Sequence, residues 1–394
     1  MNIVILAAQI LGDRISSGGD RVFVEMARRW LPHHRVTVIC PAEVADSLRE
    51  EVPEVGVLPL PAYPWTHSRI ALKRLYTAPL VYLMRSLGAL SCLGRCRGDA
   101  LFLSGDFFCN VIPAVVRRRR FRLLVANVFH INESVFRRRS NPLLNTLVSF
   151  LLQRMSFGFI RRFADLIFLL NRQVEARLGR MGFPAERMRV MGAGVDVAAI
   201  ARVRPAEGRG YDGVFFGRLY PTKGCLDLPA IWKTVTDEAP GARLGIIGTG
   251  SEALRLQMGR DFEALGLSGR VDFLGFLPYE EVYGILKASG VFLSPSYEEG
   301  WGITICEAFV CGLPAVAYDL PVFGEICPGV LETVPPGDRE GFGRQVAGLL
   351  RDRPRAEGLA RAGRETVARY DWGAMAAREA GVMEEALSRT APQP

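Results

Sequence analysis

Short apolar runs alternate with glycine-containing loops and amphipathic segments along this chain, and this alternation restricts the possible folds more than any other feature. The run NIVILAA (2–8) is apolar throughout, which is typical of a strand buried in a parallel sheet. A glycine loop, an amphipathic segment (RVFVEMARRWL, 21–31) and a second apolar run (RVTVIC, 35–40) follow it. Strand, loop, helix and strand in this order make a βαβ unit, so the sequence predicts an α/β fold.

The alternation breaks at residues 186–205 and then starts again. Here ERMRVMGAGVD (186–196) predicts a short strand followed by Gly192 and Gly194, and RVRPAEGRG (202–210) is polar and rich in turn residues. Because 394 residues are too many for one hydrophobic core, two doubly wound domains are predicted. We expect the first at 1–190 and the second at 205–370, with a last helix (371–394) that packs back on the first. The further predicted strands are DALFLS (99–104), RLLVANV (122–128), DLIFLL (165–170), DGVFFGRL (212–219), ARLGIIGTG (242–250), VDFLGFL (271–277), GVFLSPS (290–296) and PAVAY (314–318).

The composition is that of a folded protein with reduced thiols. Hydrophobic residues make up 49% of the chain and no low-complexity tract occurs, which excludes a disordered chain. Eight cysteines without a CxxC pair indicate free thiols in the cytoplasm rather than disulfides or a zinc site. The first residues lack the features of a signal peptide, and no apolar run of about 20 residues is free of charge. We therefore expect a cytoplasmic protein without a membrane-spanning helix.

Positive charge is concentrated in the first half of the chain. Residues 1–200 carry 28 Lys and Arg against 15 Asp and Glu, whereas residues 201–394 carry 21 against 26. This asymmetry indicates that the first domain faces an anion, which could be a membrane surface, a polyanionic substrate or nucleic acid. The basic segments are RRRRFR (117–122), FRRRSN (136–141) and two stretches that also carry many apolar residues (69–90 and 142–163).

The mixture of apolar and basic residues in these segments is typical of a surface that lies on a membrane. We expect the basic half to associate with an anionic membrane surface, on the inner face of the membrane. The alternative is a set of helices that face the core and carry solvated arginines. Nucleic acid is not an expected partner, because the basic runs belong to no recognised nucleic-acid-binding module.

The stretch EEGWGITICEAF (298–309) places one acid in a loop and another in the helix that follows. Glu299 comes just after a predicted strand, where open α/β sheets bind ligands, and Glu307 lies about one turn into the helix. The intervening glycines let the backbone approach a ligand, and the helix amino terminus favours phosphate. Carboxylate oxygens accept hydrogen bonds from sugar hydroxyls, so the pattern predicts a sugar-phosphate site. Alternatively, Glu307 favours the helix dipole and Glu299 is solvated.

The same residues carry a resemblance to a known family. EGWGITICEAFVCGLPAVA (299–317) resembles the Glu-x7-Glu signature of family-four retaining glycosyltransferases, whose fold is called GT-B. The resemblance is strong over about 205–330, and it implies two Rossmann-like doubly wound domains that face a central cleft. The first would bind the acceptor and the second the nucleotide sugar. Further segments that resemble the family are MGAGVD (191–196), FFGRLYPTKG (215–224), IIGTGSE (246–252) and FLGFLPYEEVYGILKASGVFLSPS (273–296).

The resemblance implies roles for individual residues. Glu307 would hold the nucleotide ribose, and Glu299 would hold hydroxyls of the donor sugar. Arg218 and Lys223 would neutralise the diphosphate as it leaves. His130, which follows a predicted strand, would face the donor sugar, although a structural role is the alternative. The predicted catalytic residues are therefore His130, Arg218, Lys223 and Glu299.

Several backbone contacts with the donor are also implied. The nucleotide base is expected near Phe276, and the loop that ends at Gly18 and Gly19 is expected near the diphosphate, although a plain turn is equally consistent with these two glycines. Trp301 stands where the family often has Phe, so a changed sugar pocket is expected. The other residues expected to contact the donor are Gly248, Gly300, Trp301, Gly302 and Ile303.

We therefore expect a retaining glycosyltransferase that moves a hexose from a nucleotide-diphosphate sugar to a hydroxyl acceptor. A lipid-linked or cell-envelope glycan acceptor fits the basic first half. No cofactor or metal is expected, because no Asp-x-Asp pair occurs. The alternatives are a nucleotide-sugar epimerase or hydrolase of the same fold and a non-catalytic binder of anionic lipid. The sequence leaves the base, the hexose, the acceptor and the linkage open.

Overall fold

A computed structural model of the 394-residue chain describes residues 1–10, 18–61, 71–129, 131 and 143–389. The chain forms two compact units. The first consists of Met1–Ala193 together with Trp372–Pro394, and the second is Gly194–Asp371. The chain therefore passes into the second unit between Ala193 and Gly194 and returns to the first just before Trp372.

The first unit contains one seven-stranded sheet in which every pair of neighbouring strands is parallel. Its strands are β1 (Asn2–Leu6), β2 (Arg35–Pro41), β3 (Gly56–Leu60), β4 (Gly98–Leu103), β5 (Phe121–Val128), β6 (Leu166–Leu169) and β7 (Met188–Val190). Its helices are α1 (Gly18–Trp30), α2 (Ala42–Glu51), α3 (Ala71–Arg95), α4 (Phe108–Arg117), α5 (Leu143–Phe163), α6 (Arg172–Arg180) and α15 (Trp372–Arg389).

The strand order in this sheet is β3-β2-β1-β4-β5-β6-β7, so the order reverses between β1 and β4. Helices α3, α4 and α5 pack side by side, and α15 packs on α1. Because crossovers between parallel strands are right-handed, α3 to α5 cover one face of the sheet, and α1 and α2 cover the other.

The second unit contains a six-stranded parallel sheet in the order β10-β9-β8-β11-β12-β13. Its strands are β8 (Gly213–Phe216), β9 (Leu244–Ile247), β10 (Val271–Gly275), β11 (Val291–Ser294), β12 (Ala315–Tyr318) and β13 (Glu332–Val334). Its helices are α7 (Val197–Arg202), α8 (Leu228–Glu238), α9 (Glu252–Ala264), α10 (Tyr279–Lys287), α11 (Ile303–Cys311), α12 (Phe323–Ile326), α13 (Arg339–Arg351) and α14 (Arg353–Val367).

Each unit has its own apolar core. In the second core, a tryptophan of α8 packs directly against a glycine of the sheet. Trp232 of α8 is fully buried among the residues of that core. A Cβ added at Gly213, the first residue of β8, would lie 2.5 Å from the Trp232 ring. Glycine at this position therefore lets the helix lie close against the sheet.

Every strand that the apolar runs predict is present, but β3 and β13 escape that analysis. Strand β3 lies at the sheet edge, contains Pro59 and is mostly exposed, so it lacks the apolar run of a central strand. Strand β13 is only three residues long and lies between turns. All eight cysteines are free thiols. Among the described helices, none combines the length and the apolar character needed to cross a bilayer.

Helix α15 carries a buried glutamate with one carboxylate oxygen that accepts no hydrogen bond from the described residues. The Trp30 indole nitrogen donates to the Ala376 carbonyl at 2.9 Å, which joins α1 to α15. Glu379, one turn further along, is buried, and its Oε2 atom has no hydrogen-bond partner among the described residues. Burial raises the pKa of Glu379 to about 8, against a smaller opposing effect of Arg378.

We predict that Glu379→Gln removes part of the pH dependence of unfolding. Because the folded pKa of Glu379 lies above its unfolded value, the folded state binds the extra proton, and stability falls as pH rises from about 4.5 to about 8. The slope from this one group is at most about 1.4 kcal/mol per pH unit. Denaturant unfolding from pH 5 to pH 9 should show a variant that is more stable than the wild type at pH 8.5, with a smaller difference at pH 5.

Glu384→Gln is the matched control, because Glu384 is exposed on the same helix. Burial lowers the pKa of His34 and Glu384 opposes this effect, so the control should follow the wild type in unfolding free energy above pH 7, where the imidazole is neutral. Parallel curves for Glu379→Gln and the wild type would contradict the assignment of a raised pKa to Glu379.

Candidate functional site

Two loops meet where the strand order of the second sheet reverses, between β8 and β11. In open α/β sheets this reversal leaves a crevice beyond the carboxyl ends of the strands, and ligands bind there. The Tyr297 backbone NH, after β11, donates to the Thr222 carbonyl, after β8, at 2.9 Å. Gly224 has φ +68°, and a Cβ there would collide with the Pro295 carbonyl. The two loops therefore touch through backbone, and glycine is required at this position.

The ammonium group of Lys223 and the carboxylate of Glu299 form the ion pair at this meeting point. Lys223 Nζ lies 2.6 Å from Glu299 Oε1, and the side chains are 27% and 9% exposed. Because this pair is largely buried, the cost of desolvation offsets much of its Coulomb attraction, so its placement is more informative than its contribution to stability. It brings together at the crevice a cation, which is the kind of group that binds phosphate, and a carboxylate, which is the kind that accepts from hydroxyls.

Backbone hydrogen bonds align the loops after β8, β9 and β10. Gly248 donates its NH to the Gly275 carbonyl at 2.8 Å, and its own φ is +134°. A Cβ at Gly248 would collide with the Gly217 carbonyl oxygen. Gly217 donates to the carbonyl of Ile247, the last residue of β9, and Leu219 donates to that of Thr249 in the loop that follows. The exposed Arg218 is thus held between two fixed backbone positions.

The other predicted acid, Glu307, lies inside the unit rather than in the loop. It is 1% exposed on α11, and the Tyr283 hydroxyl donates to its Oε1 at 2.8 Å. Helix α11 begins at Ile303 after Gly302, and no side chain caps it. The loop after β11 contains Gly300 and Trp301 and leads through Gly302 to the first backbone NH groups of α11. A helix amino terminus of this kind favours an anion.

Trp301 supports the loop from within the unit. Its ring is 5% exposed and meets Tyr370 edge-on, with ring centroids 5.0 Å apart. The expected effect of its bulk on a sugar pocket stays a prediction.

A row of aromatic side chains leads towards Glu307 from the side of β10. Phe216, the last residue of β8, meets Tyr279 edge-on at 6.3 Å, and Tyr279 stacks on Tyr283 at 5.8 Å. Phe276, where the base was expected, follows β10 and is 73% exposed. The sequence analysis missed Tyr279 and Tyr283, because nothing in the local pattern distinguishes them from residues that pack a helix.

Asp227 also escaped the sequence analysis. Its position just before α8 is typical of a helix cap, yet its side chain caps nothing. It is buried, and it accepts hydrogen bonds from the Tyr297 hydroxyl at 2.5 Å, the Tyr318 hydroxyl at 2.8 Å and Arg339 Nε at 2.7 Å. Burial, followed by the bond to Asp227, raises the pKa of both tyrosines. Asp227 thereby fixes Tyr297, two residues before Glu299.

Of the site residues predicted in the first unit, the structure describes the two glycines but not the histidine. Gly18 and Gly19 are the first residues of α1. His130 lies outside the described residues, so its role stays a prediction. Within the described ranges, no group of three or more His, Cys, Asp or Glu side chains could hold a metal ion.

Two family models match the chain, one in each unit. The model described as "Glycosyl transferase 4-like domain" matches residues 17–194, and that described as "Glycosyl transferases group 1" matches residues 200–366.

Curated relatives match over shorter stretches. The chain is 34% identical over 146 residues to 2-deoxystreptamine N-acetyl-D-glucosaminyltransferase of Streptomyces fradiae, a stretch that covers 35% of this chain and 34% of that protein. It is 33% identical over 180 residues to phosphatidyl-myo-inositol mannosyltransferase of Mycobacterium leprae, covering 43% and 46%. The matched stretches thus span less than half the length of these relatives.

Solved structures match over nearly the whole chain and show the fold. Sucrose-phosphate synthase from Thermosynechococcus elongatus has a TM-score of 0.77 at 19% identity and covers 98% of this chain and 99% of its own. Anabaena HepE, solved in complex with UDP-glucose, has a TM-score of 0.76 at 18% identity and covers 98% and 100%. With both family domains present in order and on this fold, the chain belongs to the group 1 glycosyltransferases of the GT-B type.

Proposed function

We propose that this protein transfers a hexose from a nucleotide-diphosphate sugar to a hydroxyl acceptor, with retention at the anomeric carbon. The observation that carries the proposal is the 2.6 Å contact between Lys223 and Glu299 at the reversal of strand order. A cation for phosphate and an acid for sugar hydroxyls are the two groups that such a donor requires side by side. The complex of HepE with UDP-glucose supports a donor of this class.

The donor would extend along the loops that the structure aligns. Its diphosphate would lie at Lys223, Arg218 and the amino terminus of α11, where cations and backbone NH groups neutralise negative charge. Its ribose would be held by Glu307. The base would lie on the β10 side, near Phe276, and the sugar hydroxyls would meet Glu299.

The reaction would proceed on one face of the sugar. The bond from the anomeric carbon to the diphosphate oxygen breaks, and a bond from the same carbon to the acceptor oxygen forms. The acceptor hydroxyl proton passes to the departing phosphate oxygen. Lys223 and Arg218 stabilise the charge that develops on the diphosphate, so we propose that transfer needs no metal ion. The predicted role of His130, contact with the donor sugar, stays part of the proposal.

The acceptor is proposed to be lipid-linked, because one face of the first unit suits a membrane. Exposed apolar side chains follow helical spacing on α3 and on α5, so each set forms a stripe along its helix. Each of these side chains is more than a third exposed. We call these two stripes, together with α4 between them, the α3–α5 face. The stripe residues are Leu80, Leu83, Leu87, Leu147, Leu151 and Met155.

The charges around the α3–α5 face match an anionic bilayer. Helices α3, α4 and α5 contain no Asp or Glu, whereas α1, α2 and α15 together contain nine. Arg95 ends α3, and Arg161 and Arg162 lie in the last turn of α5. Each basic residue near an anionic surface contributes about 1 kcal/mol to binding. Free thiols are typical of a reducing compartment, so we place this surface on the cytoplasmic face of the membrane.

We predict that Lys223→Ala lowers kcat/KM for the donor by about a hundredfold, because a fixed cation next to the leaving diphosphate is lost. The donor is first chosen by thermal shift among UDP-, GDP- and ADP-hexoses, since a ligand of the folded state raises Tm. Release of nucleoside diphosphate is then measured with phosphatidylinositol and 2-deoxystreptamine as acceptors, with and without EDTA.

The matched control is Lys233→Ala, which removes a lysine from an exposed pair with Asp237 on α8 of the same unit. Its activity should stay within about twofold of the wild type. Full transfer by Lys223→Ala would contradict the proposed site, whereas vesicle binding without transfer by the wild type from any of the three donor classes would favour a lipid binder. Release of free sugar that is independent of any acceptor would indicate a hydrolase instead.

We predict that Leu83→Glu combined with Leu151→Glu abolishes binding to vesicles that contain phosphatidylglycerol. The two charges fall in the centres of the two stripes, where they oppose both apolar contact and the anionic surface. Vesicle sedimentation at increasing salt should show that wild-type binding weakens as salt rises. Leu256→Glu, a similar change on the exposed side of α9, should bind like the wild type. Unchanged binding by the double variant would exclude the α3–α5 face as the docking surface.

A further inference from the structure

The carboxylate of Glu307 meets a ligand in one defined orientation only if another residue of the chain holds it. The last torsion of a glutamate side chain is broad, so the carboxylate plane is poorly fixed by the chain itself. In the structure the Tyr283 hydroxyl donates to Glu307 Oε1 at 2.8 Å, and both groups are buried. A hydrogen bond to a charged acceptor is among the stronger ones, so this contact sets the plane of the carboxylate.

Tyr283 is itself held rigidly. It is 4% exposed on α10, a helix that packs against α11. Tyr279 stacks on its ring with an interplanar angle of 29°, and Phe216 meets Tyr279 at 86°. Such ring pairs stabilise the packing beyond the effect of burial. The phenol therefore reaches Glu307 from a fixed ring, and its hydroxyl points at one carboxylate oxygen.

We propose that Tyr283 is a positioning residue that orients Glu307 for the two hydroxyls of a nucleotide ribose. The inference rests on the proposed function, in which Glu307 holds that ribose. Tyr283 acts through Glu307 and sets the direction of its acceptor oxygens. The protein thereby distinguishes a ribonucleotide from an analogue that lacks the 2′ and 3′ hydroxyls.

The test compares a nucleoside diphosphate with its 2′,3′-dideoxy analogue. UDP, GDP and ADP are screened by thermal shift, and the best of the three is measured with its dideoxy form by titration calorimetry. We expect Tyr283→Phe to lower the preference for the ribonucleotide by about tenfold, the size of one hydrogen bond to a charged group. Affinity for the dideoxy form should change by less than about twofold, because it has no hydroxyls for Glu307 to hold.

The structure provides a matched control. The Tyr211 hydroxyl donates to Asp272 Oδ2 at 3.0 Å in the same unit. Tyr211 lies just before β8, at the end of that strand away from the crevice. Tyr211→Phe removes the same kind of bond and should leave the ribose preference unchanged. Glu307→Gln should also lower the preference, and adding Tyr283→Phe to it should have no further effect, since the hydroxyl acts through the carboxylate.

The outcomes separate the inference from the function on which it rests. Equal losses of affinity for both nucleotides in Tyr283→Phe would mean a merely structural role and would overturn the proposal. If Glu307→Gln lowers the preference and Tyr283→Phe keeps it, the donor site stands and the role of Tyr283 is refuted. If no nucleoside diphosphate binds the wild-type protein, the proposed function fails, and this inference fails with it.

Discussion

The backbone contact between the loops after β8 and β11 determines where the charged groups of the second unit can lie. Gly224 passes against Pro295, and the Tyr297 NH bonds to Thr222. With the backbones fixed in this way, Lys223 and Glu299 lie on adjacent segments and reach each other across 2.6 Å. Any side chain at residue 224 would separate the loops and the two charges with them.

Tyrosine hydroxyls that donate to buried carboxylates then support the acids at this site. Asp227 accepts from Tyr297, two residues before Glu299, and Tyr283 donates to Glu307. In both cases a phenol hydroxyl donates to a buried carboxylate, and this bond restrains the neighbouring loop or acid. The ring of Tyr283 is buried, whereas that of Tyr297 is partly exposed. Preorganisation of this kind lowers the entropy that ligand binding must otherwise overcome. On the proposed function, the donor would meet groups that already hold their working positions.

The sequence predicts the fold and the loops of the site better than it predicts their support. Apolar runs locate the central strands because burial on both faces leaves a continuous signal, whereas the edge strand β3 and the short β13 leave none. Glu299 is recognisable because a strand end and glycines mark it, and Lys223 because its segment resembles that of a known family. Tyr283 and Asp227 are not, because their partners lie 24 or more residues away and only tertiary packing brings them together.

Hydrogen–deuterium exchange with and without the donor sugar nucleotide tests the central claim most directly. The account predicts that protection on donor binding in the second unit is concentrated in residues 217–224 and 295–307, the two loops that meet at the reversal of strand order. The exposed α9, which carries none of the proposed donor groups, should exchange at the same rate in both states. Protection that spares both loops while the nucleotide sugar is bound would contradict the account.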